Sequence, residues 1–146
     1  MHLRDHPVRS LLLLLVAVPQ AATGLWAVVA SRDWYDRFPG LGHAWVAAYG
    51  PYDDHLAADA GAGLLALGLL LAGAAMVARR AELRLAITAF LVFAAIHLSF
   101  HLRALGRLPR LDDALSIATL ALAVAVPLGV LLSLGGSAAA ASEDTP

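Results

Sequence analysis

The sequence predicts an all-α protein: a polytopic membrane four-helix bundle, up-down-up-down, with a long aromatic connector between its first and second spans. Two observations carry this. Of 146 residues, 60% are hydrophobic and 14% are charged, against roughly 25% charged in a soluble domain. The charges also avoid four stretches: none falls between Arg9 and Arg32, Asp59 and Arg79, Arg84 and Arg103, or Asp113 and Glu143. A hydrocarbon core about 30 Å thick needs about 20 helical residues to cross it. Inside lipid only helices and closed barrels satisfy the backbone, and these runs lack the alternation of barrel strands.

Span one is read at residues 9–30. Its weakly basic start at Arg4 and Arg9, and Ala21-Ala22-Thr23, resemble the ends of a signal peptide. Apolar sequence continues through Leu25, Trp26, Ala27, Val28, Val29 and Ala30, so a retained transmembrane helix is expected. Spans two, three and four are read at 56–78, 83–105 and 114–134. Pro19 and Pro127 fall within spans one and four and adjust their shape. The whole of 1–134 is expected to form one transmembrane domain, with 135–146 a flexible C-terminal tail.

The turn Arg79-Arg80-Ala81-Glu82 and the link Gly106–Asp113 are short, which makes successive spans antiparallel neighbours. Span two carries Ala58, Gly61, Ala62, Gly68, Ala72 and Ala75, small enough for close approach of helix backbones. Connector 31–55 is long. It holds Trp34, Tyr35, Phe38, Trp45, Tyr49 and Tyr52, rings that favour the membrane–water interface. Pro39, Gly40-Leu41-Gly42 and Gly50-Pro51 divide it, leaving room for a short helix around His43–Tyr49. The connector is expected to lie on the membrane, as an anchor or as a lid over polar groups beneath it.

Composition excludes several function classes. The formal net charge is -1 and every one of the ten basic residues is an arginine, scattered along the chain, so no basic groove for nucleic acid exists. With no cysteine there is no disulfide, thiolate nucleophile or CxxC pair. HExxH, GxSxG and Walker A motifs are absent. Partners are expected among membrane lipids, a lipid-like substrate, a second copy, or a larger membrane complex. An N-in, C-in orientation assigns five arginines to each side, so the positive-inside rule is evenly split. The Arg79/Arg80/Arg84 group and the basic N terminus tip the expectation towards cytoplasmic termini in a cell membrane.

Polar chemistry gathers at one end, extracytoplasmic in that orientation. His97 and His101 come late in span three, four residues apart and so on one helix face. His55 and Asp59 repeat that spacing where span two begins, and His43 lies in the connector. Imidazole and carboxylate donors suit zinc, iron or manganese, and imidazoles alone suit copper. His97 stands about 10 Å inside the span, a depth at which ionisable groups face a bundle interior. The candidate metal ligands are therefore His55, Asp59, His97 and His101, with His43 a further ligand or lid contact.

Other roles stand beside ligation. His97 and His101 suit interhelical hydrogen bonds, axial haem ligation, or a proton-transfer or quinone site. Asp59 suits helix capping, pairing with Arg103, or orienting His101 as a hydrogen-bond acceptor. Asp53 or Asp54 is expected to cap span two, and Asp112 and Asp113 span four. In a metal-dependent enzyme, metal-bound water would attack a lipid-like substrate with Asp54 moving the proton. The competing class is a non-catalytic accessory subunit. A small transporter is a third, without the inverted repeat such folds carry.

Phe38-Pro39-Gly40-Leu41-Gly42-His43-Ala44-Trp45, then Gly50-Pro51-Tyr52-Asp53-Asp54-His55-Leu56 and Asp59-Ala60-Gly61, resemble a group of small uncharacterised actinobacterial four-span integral membrane proteins. In that group a similar aromatic connector precedes the second span and histidines occur late in the third. The resemblance covers roughly residues 10–134. It implies an actinobacterial plasma membrane and keeps His43, His55, Asp59, His97 and His101 as candidates, but carries no activity with it.

Overall fold

The computed structural model describes residues 7–77 and 79–143, with side chains as far as residue 134. Five α-helices form, and no strand is present among the described residues: α1 (Pro7–Val29), α2 (Ser31–Arg37), α3 (Asp54–Val77), α4 (Arg80–Arg103) and α5 (Arg110–Glu143). Four are long and apolar enough to cross a membrane, α5 through its part Arg110–Leu134. α1, α3 and α4 lie within three residues of the expected spans at each end, whereas α5 starts four residues before its span and stays helical to Glu143, through most of the stretch expected as a flexible tail. Ala78 lies outside the described residues, as do the N-terminal histidines. The tail expected at 135–146 lies beyond the described side chains.

Each long helix packs against its neighbours in sequence, and α5 returns against α1, the square arrangement that short links between antiparallel helices impose. The tightest seam is α1 on α3. A Cβ placed on Gly24 would meet the backbone nitrogen of Leu65 at 2.2 Å, and one on Gly68 would meet that of Ala21 at 2.6 Å. Gly61 abuts Ala27 in the same way. With no hydrophobic drive between helices in lipid, such close packing is a main source of association. Ser10 Oγ donates to the Ala75 carbonyl at 2.9 Å and ties the far end of this pair.

The core divides along the bundle axis. Away from the connector, all four long helices contribute Leu13, Leu71, Leu83, Ile87, Phe90, Val130 and Leu134. Guanidinium groups of Arg9 and Arg84 donate to the Ser133 and Leu134 carbonyls there. At the connector end a smaller apolar cluster centres on Ala27, Trp34 and Ala57.

The connector differs from expectation. Its α-helix is α2, at Ser31–Arg37, while Val46–Tyr49 forms only a 3-10 turn. Local charge explains the difference: Arg32–Asp36 at 2.7 Å and Asp33–Arg37 at 3.1 Å are i,i+4 pairs, and Trp26 Nε1 donates to Asp33. The chain then turns through Gly40 and Gly42, at φ 98° and 88°, values glycine adopts without steric cost. The Trp45 amide closes this loop on the Phe38 carbonyl at 2.7 Å, and the Tyr35 hydroxyl donates to the Gly50 carbonyl. Asp53 caps α3, its Oδ1 accepting the Leu56 amide at 3.0 Å.

Candidate functional site

On α4 the inward-facing residues Leu83, Ile87, Phe90 and Ala94 are buried. Continuing that three-and-four spacing reaches His97 and then His101. On α5 the buried stripe of Val130 and Leu134 runs back through Pro127 to Ser116 and Asp112, which are 2% and 8% exposed. Both stripes therefore turn from apolar to polar at the connector end. The histidines continue the inward stripe and are partly buried.

His101 is the centre of this polar zone. Its Nδ1 lies 3.1 Å from the Tyr49 hydroxyl and 3.2 Å from Ser116 Oγ, so one imidazole joins α4, α5 and the connector. The Tyr49 ring packs edge-on against it with centroids 5.1 Å apart. Arg107 lies over the Tyr49 ring, 5.9 Å from its centroid. Burial, then the nearby Asp113 carboxylate, raises the Tyr49 hydroxyl above the ordinary phenol value, and Arg107 opposes the rise. Tyr49 is therefore a neutral hydroxyl at neutral pH.

His97 is one turn deeper. Its ring centroid is 4.8 Å from that of His101, and its other contact is a near-parallel stack on Phe93 at 5.5 Å. His97 has no hydrogen-bond partner among the described residues, unlike His101. A half-buried imidazole without a partner is costly.

The other candidates are elsewhere. His43 Nδ1 is 2.8 Å from Asp112 Oδ1, which fixes the connector to the start of α5. Asp112 thus serves the connector, and Asp113 accepts the Gly106 amide at 2.7 Å, so neither has its expected role of capping α5. His55 and Asp59 form a pair of their own at 3.4 Å, with side chains 84% and 67% exposed. Asp54, expected to move a proton, is bound by the Tyr52 hydroxyl at 2.5 Å and Ser31 Oγ at 2.7 Å. That bond holds the Tyr52 phenol above its usual value.

The expected four-ligand set is therefore split. No group of three or more histidine, aspartate and glutamate side chains is placed to hold a metal ion among the described residues. Helix geometry gives the reason. At about 100° per residue, Asp59 and His55 stand roughly 160° and 120° around α3 from Gly61, the residue seated on α1. They point away from the interior that His97 and His101 face.

Sequence reasoning misses Tyr49 as a member of the site and Gln20 as a buried polar group of the bundle. In the sequence Tyr49 is one ring of an aromatic set, and nothing local pairs it with a residue 52 positions later. Gln20 lies on the inward stripe of α1, between the buried Ala17 and Gly24. Its Nε2 is buried without a hydrogen-bond partner among the described residues. A carboxamide inside an apolar run was the available signal. No protein-family model matches the chain, and no curated protein or solved structure matches it either.

Proposed function

We propose that this chain is a multi-pass plasma-membrane protein, termini cytoplasmic, that binds a divalent transition-metal ion through His97 and His101. The observation that carries the reading is the adjacency of two inward-facing imidazoles, one with no hydrogen-bond partner and the other held by its Nδ1. A histidine oriented through one ring nitrogen presents the other to a metal. Imidazole donors without thiolates suit zinc, copper or divalent iron. Two protein ligands leave coordination positions for water, a lipid-like substrate, or a group from a second copy. His55, Asp59 and His43 fall away as ligands in this reading. Haem is less favoured, since imidazoles one turn apart approach an iron from the same side.

A second reading has its own support. The bonds His101–Ser116, His101–Tyr49 and His43–Asp112 are what a non-catalytic accessory subunit needs to hold its helices and connector together.

Elemental analysis and a visible absorption spectrum of detergent-purified protein without a histidine tag separate these. The expected result is stoichiometric zinc, iron or copper that is lost in both His97→Ala and His101→Ala and retained in His55→Ala. A Soret band would transfer the site to haem. Folded protein that takes up no metal after reconstitution with all three ions, or His97→Ala protein that keeps its metal, overturns the proposal in favour of the accessory subunit.

A further inference from the structure

The link from α4 to α5 leaves a shallow, open groove of about 460 Å³ on the outer side of that helix pair, a trough on the surface and not an enclosed cavity. Leu102, Leu105 and Ile117 supply its apolar wall, and Arg110 and Asp113 are its two charged residues. Leu102 and Leu105 are about half exposed. Ile117 lies two turns along α5, towards the bilayer interior, while Arg110 and Asp113 stand at the helix start, the level of lipid headgroups.

The two charges are not spent on each other, since no ion pair joins them. Arg110 has no partner among the described residues. Asp113 accepts the Gly106 amide through Oδ2, leaving Oδ1 available. An apolar trough with a separate cation and anion at its headgroup end is complementary to one lipid chemistry. The acyl chain follows the leucines and Ile117, a phosphate meets the guanidinium, and a primary ammonium donates to the carboxylate. An anionic lipid would satisfy Arg110 but set its own charge against Asp113. A choline headgroup has no N–H to donate.

We propose that this groove binds a glycerophospholipid with a primary-amine headgroup, of the phosphatidylethanolamine kind. His97 and His101 do not line this groove, and the proposal does not depend on metal, although Asp113 also stands near the Tyr49 phenol.

Native mass spectrometry of the full chain tests this, with phosphatidylethanolamine, phosphatidylglycerol and phosphatidylcholine of matched acyl chains offered in equal amounts. Retention of phosphatidylethanolamine should exceed that of the other two by about fivefold, the scale of a partly exposed ion pair. Asp113→Asn, which keeps an oxygen for the Gly106 amide, should reduce that preference to near parity. Arg110→Gln should lower retention of all three. Equal retention by the unaltered protein, a preference for phosphatidylglycerol, or a phosphatidylethanolamine preference that survives Asp113→Asn each overturns the proposal. The ranking in the unaltered protein decides the matter even if a variant fails to fold.

Discussion

The Tyr49 hydroxyl and His101 Nδ1, 52 residues apart in the chain, meet at 3.1 Å where the connector crosses the end of α4. This contact makes the connector part of the bundle. Its aromatic cluster rests on α1 and α3 through Trp34, Ala27 and Ala57, while Tyr49 and His43 reach across to α4 and α5. The connector therefore closes the end of the bundle over the polar zone.

Removing the Tyr49 hydroxyl should loosen that closure without unfolding the helices. Tyr49→Phe keeps the ring packing and deletes one hydrogen bond, worth about 1 kcal/mol between membrane helices. Hydrogen exchange should rise in residues 43–52 and stay unchanged in α3. Equal exchange across the connector in both proteins would mean that Tyr49 does not hold it.

His43 and Asp112 should couple more strongly, because a hydrogen bond to a carboxylate is worth about 1.5–3 kcal/mol and Asp112 is nearly buried. In a double-mutant cycle of His43→Ala and Asp112→Asn, followed by denaturation in detergent, the two losses should be strongly non-additive. Additive losses would show that the pair contributes nothing as a pair.

Much of this architecture can be read from one line of sequence, because charge exclusion is local. A lipid core tolerates no scattered charges, so the ends of α1, α3 and α4 are marked by Arg9, Arg32, Asp59, Arg79, Arg84 and Arg103, and the start of α5 by Asp113. The rotation of each helix is harder to read. Asp59 and Gly61 are two residues apart, yet one faces outward and the other sits on α1, and only the partner helix decides which. The expected meeting of His55 and Asp59 with His97 and His101 assumed a rotation that the Gly24–Gly61–Gly68 seam forbids. In α2 the paired charges of Ser31–Arg37 are legible as i,i+4 spacings, although the proline and glycine breaks leave His43–Tyr49 as the uninterrupted stretch.

Alkaline pH should release the connector. Tyr49 is raised above the ordinary phenol value of 10.0 chiefly by burial, so the folded state favours the protonated hydroxyl. That stabilisation is fully present below pH 10 and is lost as pH rises through the higher folded-state value. Spectrophotometric titration should show a late tyrosinate phase from Tyr49 and Tyr52 that shrinks by the Tyr49 share in Tyr49→Phe, with tryptophan emission changing over the same interval. An unchanged late phase in the variant would assign it elsewhere, Tyr52 beside Asp54 being the other raised phenol.

The α1–α3 seam gives the sharpest contrast between glycines. A Cβ on Gly24 meets Leu65 backbone at 2.2 Å, whereas one on Gly63 or Gly73 meets nothing within 4 Å. Backbone cannot swing aside as a side chain can, so Gly24→Ala must push α1 and α3 apart. The expected loss is about 1–3 kcal/mol, the range for overpacking a tight core. Gly63→Ala should be neutral or stabilising, because alanine is the better helix former by about 1 kcal/mol. Denaturation of the two variants in the same detergent measures the difference directly. If Gly24→Ala were as stable as Gly63→Ala, the close approach of these helices would not be a source of the fold's stability, and the outward rotation of His55 and Asp59 would lose its physical cause.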